Sequence, residues 1–136
     1  MKKIVTLLIA IAIISTIATS ALADTAPYIR YQASGKGVAG NATHTSNSKV
    51  YVTQTSNVHT QTGATGPKIH YGARKTKTTQ GSSICNAMSI SGYSGSTSGS
   101  YKSGNKPSSG ATVYLVLEPA TAASNGQWEV AGTWSP

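Results

Sequence analysis

The residues in this 136-residue chain that are best suited to chemistry are one cysteine and three histidines. Cys85 would be a thiolate nucleophile if a histidine lay beside it in the folded protein, because an imidazole can take the thiol proton. The same types of side chain bind zinc: His44, His59, His70 and Cys85. Their spacing matches neither a C-x-x-C pair nor a closely spaced histidine pair. We therefore predict no metal site, and a small Cys-dependent hydrolase stays an alternative.

Carboxylate chemistry is disfavoured by composition, because the chain has only three acidic residues. Glycoside cleavage uses two carboxyl groups held at a set separation on rigid elements. Asp24, Glu118 and Glu129 are far apart in the sequence, and no pattern brings two of them together. The chain also lacks the glycine spacing of a phosphate-binding loop. We predict a non-enzymatic protein with no catalytic residue and no cofactor.

Basic residues and tyrosines in polar segments are the candidate binding residues. Lysine and arginine attract anions, and tyrosine gives a large contact area at a small entropic cost. Two segments combine such residues, the basic cluster 74–77 and the Gly/Ser-rich stretch 91–110. The predicted binding surface consists of Arg74, Lys75, Lys77, Tyr93, Tyr101, Lys102 and Lys106. In the alternative interpretation, the two tyrosines fold back onto the domain and fix the loop.

The N-terminal residues have the three parts of a secretory signal peptide. Lys2 and Lys3 form a basic start, residues 4–18 are almost wholly apolar, and Ala21-Leu22-Ala23 provides small residues before Asp24. The apolar run is short for a membrane span, which needs about 20 residues. We predict cleavage of a signal peptide at residues 1–23. The remaining 24–136 is then a single secreted, extracellular domain.

The predicted secreted domain is basic, with nine lysines and arginines against three acids and a net charge of about +6. Outside a bacterial cell, anionic cell-envelope polymers and the membrane surface are the available partners for such a charge. The export signal argues against a specific nucleic-acid partner. Alternatively, the charges serve to keep a β-rich protein soluble and to prevent pairing at strand edges.

Two apolar segments near the C-terminus are the strongest strand signals. Residues 111–117 are apolar on both faces from Val113 to Leu117, which is typical of a covered strand. In 127–134, Trp128 and Trp134 share one face of an alternating pattern. We expect these two segments to form the centre of the core.

The rest of the chain predicts an all-β fold. Short Thr- and Val-rich segments alternate with Gly, Asn and Pro turns, and no window of 24–136 has a helical period. We predict an antiparallel β-sandwich, or a partly open barrel, of about 7–9 short strands. Residues 91–110 are predicted to be a Gly/Ser-rich loop or an edge hairpin.

Cys85 is the single cysteine, so an intramolecular disulfide is impossible. Its alternating neighbours predict a small, half-buried thiol in a strand over 83–90. The other interpretation is an intermolecular disulfide. This would suit a structural or assembly subunit of a surface appendage or oligomer.

The ending Val130-Ala-Gly-Thr-Trp134 and the signal peptide resemble those of small secreted β proteins of Gram-positive bacteria that end in a V-x-G-x-W strand. The function of that group is unsettled, and some members look bacteriocin-like or are linked to envelope stress. The resemblance implies a secreted β domain and identifies no functional residue. Together with the charge, it favours a bacteriocin-like or envelope-binding factor that acts at the cell surface.

Overall fold

The computed structural model describes residues 25–32 and 35–136, and the predicted signal peptide lies outside them. The described residues form eight strands: β1 Ala26–Gln32, β2 Gly37–Thr43, β3 Lys49–His59, β4 Ile69–Arg74, β5 Met88–Ile90, β6 Gly95–Ser100, β7 Thr112–Pro119 and β8 Trp128–Ser135. No helix among these residues has the length and hydropathy needed to cross a membrane.

The eight strands form two four-stranded antiparallel sheets. The first sheet has the order β1-β8-β3-β6 and the second has the order β2-β7-β4-β5. β1 contacts β2 at one side of the sandwich, and β5 contacts β6 at the other. The pairs β1–β8, β2–β7, β3–β6 and β4–β5 are nested along the chain. This is the strand order of a jelly roll. The predicted antiparallel sandwich is confirmed. Because the two sheets are separate, the alternative of a partly open barrel is wrong.

Alternating side chains from both sheets fill the space between them. In β3, Val50 and Val52 are buried while Tyr51 is exposed. In β4, Ile69 and Tyr71 face the same interior. This period of two places one face of each strand on the core and the other face outside.

The two C-terminal strands lie in different sheets, β7 in the second and β8 in the first. Leu115 and Trp134 are both almost fully buried, as the sequence predicts. Trp128 lies at the rim, where it packs edge-on against His59 and donates its indole N–H to the carbonyl of Thr121 at 2.9 Å. Trp134 therefore anchors the interior as predicted. The prediction that Trp128 lies at the centre of the core is wrong, because this residue is only partly buried and closes one end of the core.

The Gly/Ser-rich stretch contains an ordered edge strand. β6 pairs with β3 along its whole length and lies at the edge of the first sheet, as the edge-strand alternative predicts. The predicted hairpin is not formed, because β6 does not pair with β5. Its small residues allow a close approach to β5. A Cβ at Gly99 would lie 2.9 Å from Cγ of Met88, and a Cβ at Gly95 would lie 2.9 Å from Cγ2 of Ile90. Larger side chains there would push the two sheets apart.

The predicted strand over 83–90 is wrong in its first half. β5 covers only Met88–Ile90, and the residues before it cross between the sheets. The Ile84 N–H donates to Ala73 in the second sheet, while the Ile84 carbonyl accepts from Lys102, after β6 of the first. Because this crossing does not alternate, Ile84 and Cys85 are both buried. Cys85 is fully buried instead of half-buried.

A chain of hydrogen bonds joins the two sheets inside the core. The Tyr71 hydroxyl of β4 donates to Oε1 of Gln54 in β3 at 2.7 Å. The Tyr28 hydroxyl of β1 lies 2.9 Å from the same Tyr71 oxygen and, since the Tyr71 proton is already used, it is the donor. Burial raises the pKa of Tyr28 to about 12, against the opposing effect of its bond to Tyr71, and burial also raises the pKa of Tyr71. Both hydroxyls therefore stay protonated at neutral pH.

Replacing Tyr71 with phenylalanine is expected to destabilise the fold more than replacing Tyr28. Tyr71→Phe leaves both Gln54 Oε1 and the Tyr28 hydroxyl without this partner, at a cost of about 1–3 kcal/mol for each buried group. Tyr28→Phe leaves the bond from Tyr71 to Gln54 in place. Urea unfolding of both variants and the wild type tests this order, and equal losses would contradict it.

Candidate functional site

The outer face of the second sheet carries the candidate site. In the register of β4 with β7, Arg74 lies opposite Tyr114, Gly72 opposite Val116, and His70 opposite Glu118. The alternate residues of both strands face the core, so these six face outward. The segment 75–83 leaves the end of β4 and returns over this face, where Ser83 accepts a hydrogen bond from the Ala73 N–H.

Two adjacent clefts on this face collect positive side chains. The first has a volume of about 300 Å³ and is lined by Lys36, Arg74 and Lys102, among others. The second has a volume of about 400 Å³ and is lined by Lys75 and Lys106. We call the surface formed by the two clefts the basic face.

Among the residues that the structure describes, Glu118 is the one acid that lines the clefts. Its Oε2 lies 3.3 Å from Nζ of Lys36, and both side chains are about 40% exposed. Such an exposed pair contributes little to stability. It cancels one positive charge, which leaves Arg74 and Lys102 as the net charge of the first cleft at neutral pH.

Gly72 and Val116 form the apolar floor of the first cleft, and the hydroxyl-bearing Ser82 and Ser83 form part of its wall. A Cβ at Gly72 would lie 3.1 Å from Oγ of Ser83, so the absence of a side chain lets the 75–83 segment lie close to the sheet. The cleft therefore combines a base on the sheet, where Val116 is almost fully buried, with a polar and positively charged rim.

Arg74 is the unusual member of the basic face because only 6% of its surface is exposed. Its Nη2 makes one long hydrogen bond, 3.4 Å to the carbonyl of Thr79. Nε and Nη1 are buried and have no hydrogen-bond partner among the described residues. A buried guanidinium normally has a carboxylate or several acceptors around it, because removing its hydration costs several kcal/mol.

The structure divides the predicted binding residues into two groups. Arg74, Lys75, Lys102 and Lys106 line the basic face, and Lys77 belongs to the same connecting segment as Lys75. The two tyrosines lie beyond opposite ends of β6, a strand about 20 Å long at 3.3 Å per residue.

Each tyrosine has its own surroundings. Tyr101 is half-buried, and its hydroxyl lies 3.2 Å from Nδ1 of His44. It therefore folds back onto the domain. Tyr93 is 52% exposed, and its carbonyl accepts a hydrogen bond from Nε2 of Gln54.

Sequence reasoning missed the cleft residues Lys36, His70, Gly72 and Ser83. The alternation of 68–74 gives the outward direction of His70 and Arg74. The pairing register of β4 with β7 brings His70 and Arg74 beside the other cleft residues. The sequence pattern does not reveal this register.

The cysteine and the histidines occupy separate environments. Sγ of Cys85 lies 3.3 Å from Oγ of Ser83, and no hydrogen bond joins it to a histidine in the described part of the chain. Nδ1 of His59 accepts hydrogen bonds from the backbone N–H groups of Gln61 and Thr62, and His70 is exposed. Residues 25–32 and 35–136 contain no group of three or more side chains suited to holding a metal ion.

Comparison with known proteins gives no relative: no protein-family model, no curated protein and no solved structure matches this chain.

His44 is expected to make stability fall on acidification. Its ring is 1% exposed, and burial lowers the pKa of His44; a hydrogen bond to Pro136 opposes this and the charge of Lys106 adds to it. Below the ordinary histidine pKa of about 6.5 the unfolded chain therefore binds more protons than the folded one. The free energy of unfolding should then decrease as pH falls from 7.5 to 5.5.

The matched variants for this prediction are His44→Gln and His70→Gln, measured by urea unfolding at both pH values. His44→Gln should reduce the loss on acidification, and His70→Gln, at an exposed position, should keep it. The same pH response in all three proteins would show that His44 is not its source.

Proposed function

We propose that this protein is a secreted, non-enzymatic factor that binds anionic surfaces of the bacterial cell envelope through its basic face. The observation that carries the proposal is the gathering, within the described part of the chain, of five positive side chains and a single acid around two adjacent clefts. These residues come from separate segments of the chain, so the fold concentrates a charge that the sequence spreads out.

A concentrated positive surface supports binding by long-range attraction. Charges of one sign along a cleft raise the local concentration of anions and accelerate association. Lysines near an anionic surface each contribute about 1 kcal/mol of attraction at low ionic strength. The contact role is also compatible with the small number of carboxylates, since binding of this kind requires no acid–base pair.

The proposal predicts binding to isolated cell walls or anionic vesicles that weakens steeply with salt. Exposed charges are screened over about 10 Å at 0.1 M ionic strength. Cosedimentation between 20 and 500 mM sodium chloride measures this. Complete absence of binding at all salt concentrations, or binding that salt does not change, would refute the proposal.

Charge reversal locates the binding surface. Lys102→Glu changes the net charge by two units on the basic face, and Lys49→Glu does the same on β3 of the opposite sheet. Both lysines are exposed. We expect Lys102→Glu to weaken binding about tenfold or more at low salt and Lys49→Glu to weaken it much less. Equal losses would indicate attraction by net charge alone, without a specific face.

A further inference from the structure

We infer that Arg74 is the anchor of a phosphate-binding site in the first cleft, which takes a phosphate ester unit of an anionic polymer. The inference rests on the proposed function, because it names the chemical group that the basic face recognises. It starts from a guanidinium that is 94% buried, lines a cleft, and has two nitrogens without an acceptor in residues 25–32 and 35–136.

The fold itself gives this guanidinium very little compensation. Its one hydrogen bond, to the Thr79 carbonyl, has a length of 3.4 Å, near the limit for such a bond. Glu118, the acid of the same cleft, is paired with Lys36. An uncompensated buried cation is destabilising, so its presence at this position points to an anionic ligand that compensates it when bound.

The groups around Arg74 match a phosphate. Arginine presents a rigid fork of N–H donors that suits phosphate oxygens, and lysine adds a mobile positive charge. Lys102 provides that charge in the same cleft, and the Ser82 side chain offers a hydroxyl donor. Glu118 disfavours an anion near its own end of the cleft, which places the phosphate toward Arg74 and Lys102.

The dimensions of the cleft favour a phosphate that carries attached groups. A volume of about 300 Å³ is at the lower end of the range for small-molecule sites. Gly72 and the almost fully buried Val116 line the side of the cleft on the sheet, where the carbon atoms of a sugar or polyol next to the phosphate would lie. A polymer segment can enter the recess, whereas the headgroups of a flat bilayer cannot readily reach a side chain that is 94% buried.

Access to the buried nitrogens requires movement of the turn above them. A Cβ at Gly81 would lie 4.0 Å from Nη1 of Arg74, and Gly81 has a φ of +77°. This turn connects Thr79 to the wall serines. We expect ligand binding to shift it away from the guanidinium, so that phosphate oxygens replace the weak contact with the Thr79 carbonyl.

The test is a thermal unfolding series with sn-glycerol 3-phosphate as the probe, because a ligand that binds the folded state raises Tm. At equal ionic strength, glycerol phosphate should raise the Tm of the wild type, inorganic phosphate should do so less, and acetate and chloride should not. An equal effect of acetate would overturn the assignment to phosphate, and the lack of any glycerol phosphate effect would overturn the site.

Variants separate the role of Arg74 from general charge. Arg74→Gln should abolish the Tm response, and without ligand it should be as stable as the wild type or more stable, because it removes a buried cation. Arg74→Lys keeps the charge but loses the forked N–H donors of the guanidinium, and we expect at least tenfold weaker binding in calorimetric titration.

Lys102→Gln, at an exposed position, should weaken binding without affecting folding, and it replaces Arg74→Gln if that variant does not fold. Lys49→Gln is the control and should bind like the wild type.

The outcomes distinguish this inference from the proposed function. Salt-dependent binding to cell walls that is unchanged in Arg74→Gln would retain the function and reject the phosphate site. A glycerol phosphate response without binding to any envelope surface would retain the site and reject the function. If Arg74→Gln abolishes binding to phosphatidylglycerol vesicles but not to cell walls, the ligand is a lipid headgroup, and the inference of a polymer is wrong.

Discussion

The position of Tyr71 in β4 is the constraint on which the rest of the structure depends. Its hydroxyl connects Tyr28 and Gln54 of the first sheet to the middle of the second sheet. A slip of one residue in the pairing of two strands turns every side chain of the slipped strand to the opposite face. A buried hydroxyl chain resists this because the slipped state would leave polar groups without partners. The register that holds Tyr71 inside also holds Arg74 outside.

The location of Arg74 then sets a conflict between stability and recognition. Its side chain lies against the sheet beneath the 75–83 segment, where a neutral residue of similar size would be more favourable. Proteins commonly retain such locally unfavourable groups at sites of function and offset them elsewhere. Here the offset comes from the apolar core on the other face of the same strands, where Ile69 and Leu117 are fully buried. The proposed site therefore lies on the outer face of strands whose inner face is buried in the core.

The parts of the fold that the sequence predicted are those in which alternation decides the structure. Val50 and Val52 in β3, and Ile69 and Tyr71 in β4, identify the buried faces directly. The prediction failed at Cys85, since this residue lies in a crossing between the sheets and its burial follows from long-range contacts. The prediction for residues 91–110 left a loop and an edge strand open, because a glycine in β6 indicates a close approach to β5 as readily as it indicates a loop.

The candidate site was less predictable than the fold, for the same physical reason. Arg74 and Lys75 form a visible cluster in the sequence, whereas Lys36 and Lys102 are remote from it and join it only through strand pairing. The burial of Arg74 has no sequence signal, because it depends on how the 75–83 segment folds over the sheet.

A jelly roll accommodates many unrelated functions, so the fold alone favours none of them. What distinguishes the alternatives is the chemistry that the fold leaves accessible. Cys85 is buried and hydrogen-bonded to Ser83, so a thiol reaction or an intermolecular disulfide would first require its surroundings to open. The edge strand β6 presents serine hydroxyls outward and Gly95, Thr97 and Gly99 inward, and it lacks the apolar side chains that make an exposed edge strongly self-associating. The basic face needs no such rearrangement at its rim, since Lys102 and Lys106 are already exposed. Of the surfaces described, it is therefore the one best suited to act by contact with an anionic partner.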